Sequence, residues 1–395
     1  MRQLHSHHSL SADGLSDQLD RSERPGIGGL NPGLEQPARG SAQLLLSRMQ
    51  RVLPPELVPP ASLTAAREVT RLLPGSMTAR LGFEARLRES ADQADLLCCV
   101  TPWPGEREAL LSCASGYDGS TPAAARAWHQ VGSLAREWAR PASRLHRGVS
   151  NLWLEFDLDR PHIGAPVPSV FFGLDDPDTR AASFPGRQRQ PTRDHEATRV
   201  GLGALGAGAF APPLTDRIDR CFRALPADAK IFQVGMMLAR RTEAVRLCVR
   251  RLPAELFCEY LRDVGWTGDP ARLGPCLDEL RTHAAHLCLD LDVTKDGIAP
   301  RLGIECSASA EPQDGPSWDG LLGFAGRLGL CSARKAEALL RWPGVEAGQD
   351  AADELLVRAI AHVKFAYQAG RLAEAKAYFG GWKRVTAASL LRGIV

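Results

Sequence analysis

Residues 286–307 read HLCLDLDVTKDGIAPRLGIECS. Two alternating runs, His286–Val293 and Ala299–Ser307, flank a turn through Lys295-Asp296-Gly297. Asp-Gly between alternating runs is a strong hairpin signal, because a tight hairpin turn needs backbone with positive φ. Side chains alternate across a strand. Leu287, Leu289 and Leu291 therefore share one face, and Cys288, Asp290 and Asp292 share the other. The returning strand sets Leu302, Ile304 and Cys306 against Arg301, Gly303 and Glu305. The segment predicts an antiparallel hairpin with one apolar and one charged face.

The same pattern occurs four more times. Met77–Glu89 pairs with Asp95–Thr101, and Asn151–Leu158 with Ser169–Gly173. Lys230–Ala239 pairs with Ala244–Arg251 across a turn at Arg240–Glu243, and Ala359–Tyr367 pairs with Ala373–Gly380 across Ala369-Gly370-Arg371. Helical sequence separates the pairs: Gln43–Val52, Ser62–Leu73, Thr121–Trp138, Leu214–Leu225, Pro253–Val264, Ala271–Ala284, Trp318–Gly329, Ser332–Leu340 and Ala351–Ile360. Ser332, following Gly329, fits a helix N-cap. Residues 1–39 lack periodicity and read as a disordered tail in which His5, His7 and His8 form no structured ligand set. Residues 40–395 read as one domain, interrupted by a long polar loop at about 175–213.

The chain has 395 residues, 44% hydrophobic and 24% charged, with a net charge of +2. Such a balance gives no reason to expect nucleic acid or an acidic membrane surface as partner. No apolar run is long enough to span a bilayer, and no signal-like segment begins the chain, so the expected location is the cytoplasm. The ten cysteines show no paired spacing and read as free thiols. Abundant Arg and Ala with scarce Lys suggest a GC-rich bacterial source. Gly201–Gly206 fits GxGxxG but lacks a preceding strand, so it reads as a flexible glycine-rich loop and no nucleotide cofactor is expected. Asp175-Asp176-Pro177-Asp178 reads as a turn.

About ten antiparallel strands leave two exposed edges unless the sheet closes. Two architectures fit the alternation. One is an open sheet with helices on its apolar face and water on its polar face. The other is an α+β fold in which an antiparallel β-barrel of about ten strands, built from five hairpins, is surrounded by helices. In the barrel the polar faces line a lumen: Trp153, Glu155 and Asp157; Arg246, Cys248 and Arg250; Asp290 and Asp292; Arg301 and Glu305; His362 and Lys364; Glu374, Lys376 and Tyr378; Arg80, Glu84 and Arg86.

This organisation resembles the ABBA, or PT-barrel, aromatic prenyltransferases over about residues 41–395, together with the Lys-x-Tyr spacing of Lys376-Ala377-Tyr378. The resemblance implies a natural-product tailoring enzyme. It would transfer a prenyl group from an allylic diphosphate to an aromatic small molecule or peptide side chain. It further implies that Arg246, Arg301, Lys364, Lys376 and Tyr378 hold the diphosphate and that Glu84 takes the acceptor's proton. Asp290 and Asp292 are candidates for a Mg²⁺ that bridges the phosphates. His362, with Asp290 or Asp292, is a second acid/base candidate. The sequence departs from that family in two respects: only 6% of its residues are aromatic, 4 of them Tyr, and the expected lumen is rich in carboxylates. Two other readings stay open. One is a barrel enzyme acting on a cationic or peptide substrate through the acidic residues and His362. The other is a non-catalytic peptide- or protein-binding module.

Overall fold

The computed structural model describes residues 42–77, 80–103, 105–117, 121–158, 166–174, 191–206, 212–240, 243–309, 316–347 and 354–385. The expected hairpins form as β1 (Arg80–Arg86) with β2 (Ala94–Val100), β3 (Asn151–Phe156) with β4 (Ser169–Gly173), and β5 (Lys230–Met236) with β6 (Val245–Arg250). They continue as β7 (His286–Thr294) with β8 (Gly297–Ser307), then β10 (Glu354–Gln368) with β11 (Arg371–Val385). Each hairpin pairs antiparallel with the next, and β11 pairs with both β10 and β1. The ring therefore closes into an antiparallel ten-stranded barrel with no free edge around its wall. A short extra strand, β9 (Gly344–Ala347), joins outside the ring on the first residues of β10.

Helices cover the outside: α1 (Ala42–Met49), α2 (Pro60–Leu72), α3 (Glu106–Gly116), α4 (Pro122–Ala139), α5 (Arg144–Gly148) and α6 (Pro191–Gly206). The remainder are α7 (Pro212–Arg223), α8 (Phe257–Asp263), α9 (Pro270–His283), α10 (Trp318–Arg327) and α11 (Ala333–Leu340). Ser332 caps α11, accepting a hydrogen bond from the Lys335 amide. The main core lies between helices and barrel. Phe324 of α10 meets Phe365 of β10, and Trp342 meets Phe379 of β11 edge-on. Each fully buried side chain of this size contributes roughly 1.5–3 kcal/mol of hydrophobic stabilisation. All ten cysteines are free. No helix among the described residues is long and apolar enough to cross a membrane.

Three expectations are corrected. Part of the long loop at 175–213 is helical: α6 and the start of α7 occupy it, while 175–190 and 207–211 lie outside the described residues. The glycines of GxGxxG belong to the end of α6 rather than to a flexible loop. A Cβ at Gly201 would lie 2.7 Å from the Phe172 ring, so glycine there lets the helix sit directly on β4. The helix expected over Ala351–Ile360 is strand from Glu354 onward, because β9 and β11 take its backbone hydrogen bonds on both sides. Tertiary pairing thus overrides the local preference. Helices α3 and α5 and strand β9 are additional to the sequence reading. The tail with His5, His7 and His8, and Asp175–Asp178, lie outside the described residues.

The turn between β10 and β11 places Ala369 at φ 51° and Gly370 at φ 79°, the two positive values a two-residue hairpin of primed type requires. Alanine pays a steric penalty of about 1 kcal/mol in this region. Ala369→Gly is therefore expected to raise the urea midpoint of unfolding; a lowered midpoint would contradict this turn geometry.

Candidate functional site in the barrel lumen

Alternation within a closed ring sends one residue in two into the lumen. A β-bulge between Ile360 and His362 changes the phase of β10. Ala361 is the extra residue, and beyond it His362 pairs with Tyr378 and Lys364 with Lys376. Glu84 of β1 faces Tyr378 on one side and Asp95 of β2 on the other. The polar residues expected to share a face thus meet inside the barrel.

Nearly every lumenal charge has an opposite partner. Glu84 accepts from Lys376 Nζ at 2.5 Å and from the Tyr378 hydroxyl. Arg246 grips Asp292 through two parallel bonds of 2.8 and 2.9 Å. Lys364 pairs with Asp290 and lies 3.9 Å from Glu305. Arg301 donates to Glu374 at 2.5 Å, and Arg86 lies 3.4 Å from the same carboxylate. Arg240, from the β5–β6 turn, reaches Asp157 at 2.6 Å and Glu155 at 3.5 Å. Desolvating a charge costs several kcal/mol unless it is paired, and this pairing is what makes a charged interior tenable.

Glycine opens room for one of these pairs. Residue 303 sits opposite Asp290 and Ala366. A Cβ there would fall 2.7 Å from Lys364 Cε and 2.8 Å from Asp290 Oδ2. The ammonium passes over this gap to its carboxylate.

Next to the charges lies an apolar recess. Leu97, Trp153, Ala361, Tyr378 and Trp382 line it, along with Gly82 and Gly380, which carry no side chain. Gly82 and Gly380 are register partners. A Cβ on Gly380 would meet the Leu81 carbonyl oxygen at 2.3 Å, so the strands approach here at backbone distance. The recess is narrow, with a cavity volume of about 40 Å³, and is partly open to solvent. The His362 ring stacks on Tyr378 with centroids 4.2 Å apart. The lumen is thus amphiphilic, with an aromatic recess adjoining an ionic network.

The network separates its carboxylates. Lys376 and Tyr378 outweigh burial at Glu84 and hold it well below the usual carboxylate range. Arg246 keeps Asp292 low despite burial. In contrast, burial and then Glu84, Glu155 and Asp157 push Asp95 up to about 7. Burial and then Asp290 push Glu305 up to about 8. Burial, followed by the Lys364 charge, keeps His362 neutral by moving it well below its ordinary value. Its Nε2 lies 3.4 Å from Glu305 Oε1, and Nδ1 has no hydrogen-bond partner.

The expected site residues are distributed unevenly. Lys364, Lys376, Tyr378, Glu84 and His362 come together on the β1–β11–β10 wall. Arg246 is committed to Asp292, and Arg301 lies at the rim with its side chain 48% exposed. Glu84 is the counter-ion of Lys376 and accepts a hydrogen bond from Tyr378, which makes it a weak base. Asp290 and Asp292 do not fit the expected Mg²⁺ pair, because both oxygens of Asp292 are taken by Arg246. The donors that cluster are Cys248 with Asp290 and Glu305, and Glu84 with Asp95 and Glu155; within each group the ligand atoms lie within 4.8 Å of one another. Asp95 and Arg240 were not foreseen as site residues. The lumenal neighbours of Asp95 on its own strand are Leu97 and Cys99, which disguise that face as apolar, and Arg240 belongs to a turn. No family model matches the chain, nor does any curated protein sequence.

Two outcomes are expected. Removing Lys376 leaves Glu84, 2% exposed, without its cation. Lys376→Ala should lose about 3–5 kcal/mol of stability, and the neutral pair Glu84→Gln with Lys376→Met should recover most of it in urea unfolding. The second concerns pH. Asp95 and Glu305 bind a proton more tightly when folded, so their contribution is fully present below about pH 4 and is lost as pH rises to about 8. Asp95→Asn should flatten the fall in thermal midpoint across the lower part of that window; an unchanged slope would show that Asp95 is already ionised.

Proposed function

We propose that this barrel is a tailoring enzyme of the PT-barrel kind, transferring a prenyl group from an allylic diphosphate to an electron-rich aromatic small molecule or peptide side chain. The observation that carries the reading is the amphiphilic wall, where Lys364, Lys376 and Tyr378 adjoin the recess of Leu97, Trp153 and Trp382. An allylic diphosphate has the same division, an anionic head and an apolar tail. Cationic donors on fixed strands are preorganised for phosphate oxygens. The head would draw Lys376 and Tyr378 from Glu84, and Lys364 from Asp290. Arg246 and Arg301 would add long-range attraction from their own ion pairs.

In the proposed reaction the allylic C–O bond breaks and diphosphate leaves with the electron pair. The faces of Trp153 and Tyr378 stabilise the allylic cation. A carbon of the acceptor attacks, and its proton passes to neutral His362, whose Nδ1 has no partner. The role first assigned to Glu84 thereby moves to His362, because Glu84 is engaged by Lys376 and Tyr378 whereas His362 Nδ1 has no partner.

A second reading rests on the Glu84, Asp95 and Glu155 cluster, whose carboxylate oxygens lie within 4.8 Å of one another and in which Asp95 and Glu155 share their cations, Arg86 and Arg240, with Glu374 and Asp157. A cationic or peptide substrate would relieve the repulsion within it, and the chemistry would then run through the carboxylates and His362.

Titration calorimetry with dimethylallyl and geranyl thiolodiphosphates, with and without Mg²⁺, separates the two. The first reading expects saturable micromolar binding that weakens roughly tenfold in Lys376→Gln, a loss of about 1.4 kcal/mol. Glutamine keeps a donor for Glu84 and so costs less stability than alanine, and circular dichroism checks that the variant is folded. No binding to either analogue by folded wild-type protein would overturn the prenyl reading and favour the cationic substrate.

A further inference from the structure

In the group Cys248, Asp290 and Glu305, only Asp290 enters the reaction above, and there only as the partner that Lys364 leaves. Its residues come from β6, β7 and β8, consecutive strands of the wall, and their exposures are 2%, 2% and 6%. Cys248 is the direct register partner of Asp290. Residue 303, opposite Asp290 on β8, is glycine, so no side chain there separates Asp290 from Glu305. The three ligand atoms lie within 4.8 Å of one another.

A second, independent observation comes from β10. His362 is 2% exposed, and neither ring nitrogen makes a hydrogen bond. Its Nε2 points at Glu305 Oε1 from 3.4 Å. A buried imidazole without hydrogen bonds is costly. It is directed at a set of donors that already combines sulfur and oxygen.

We propose that Cys248, Asp290 and Glu305, with His362 beside them, form a binding site for a divalent transition metal of the Zn²⁺, Co²⁺ or Fe²⁺ class. One thiolate, two carboxylates and an adjacent imidazole suit these borderline ions, whereas Mg²⁺ and Ca²⁺ favour oxygen alone. The site shares Asp290 with the expected Mg²⁺ pair but differs from it in its other donors and in metal class, and it does not depend on prenyl transfer. Lys364 serves as the counter-ion of Asp290 when no metal is bound. Loading exchanges one cation for another, so the buried carboxylates never lack a positive partner. It also frees the Lys364 ammonium to turn toward the centre of the lumen.

Cobalt titration of the purified full-length protein tests this. Wild-type protein is expected to take up Co²⁺ saturably, with a thiolate-to-cobalt charge-transfer band in the near ultraviolet and a raised thermal midpoint. The band should vanish in Cys248→Ser and persist in Cys276→Ser, whose thiol is on outer helix α9. Glu305→Gln, a near-isosteric change, should keep the fold and weaken affinity by roughly tenfold or more. Absence of the band in wild type at saturating Co²⁺ would overturn the proposal. So would its retention in Cys248→Ser, or unchanged affinity in Glu305→Gln.

Discussion

Closure of the sheet is the constraint from which the rest follows. Strand alternation alone yields one apolar and one polar face, and an open sheet would give the polar face to water. Pairing β11 with both β1 and β10 removes the edges and turns the polar face inward. The apolar face then needs the shell of helices, and the lumen must satisfy its charges without much help from solvent. Helix packing, glycine placement and the ionic network are successive responses to that one topological choice.

The lumen meets its electrostatic demand locally, by partnering almost every cation with a carboxylate on a neighbouring strand. Arg246 with Asp292 and Lys376 with Glu84 follow directly from cross-strand neighbourhood or a single diagonal step. This has a functional implication. The cations are not idle before a ligand arrives, so any anion must compete with Glu84 and Asp290. Affinity then reports a difference between two pairings rather than the strength of one.

Much of this was legible in the sequence because a period of two survives in nearly every strand. The Asp-Gly turn and alternation of residues 286–307 were sufficient for β7 and β8, and the same logic identified the inward faces of Arg246, Lys364, Lys376 and Tyr378. The readings that failed did so for physical reasons. Helix α6 is glycine-rich because it packs at close range on Phe172, and composition alone made it look like a loop. The start of β10 carries a sequence compatible with helix and becomes strand through β9 and β11. Side-chain partnerships were beyond the reach of alternation, which gives a face but no partner. Glu84 therefore looked like a base when read alone and became a counter-ion once Lys376 and Tyr378 were seen beside it.

The bulge at Ala361 has a consequence for how such a barrel can diversify. Before it, β10 directs its odd-numbered residues inward; after it, the even-numbered ones, including His362 and Lys364. The extra residue itself lines the recess. Loss of that one position would leave the pairing of Ile360 with Phe379 and His362 with Tyr378 intact while erasing a piece of the wall. In this barrel a single-codon deletion can remodel the cavity with the pairing of His362 and Tyr378 left in place.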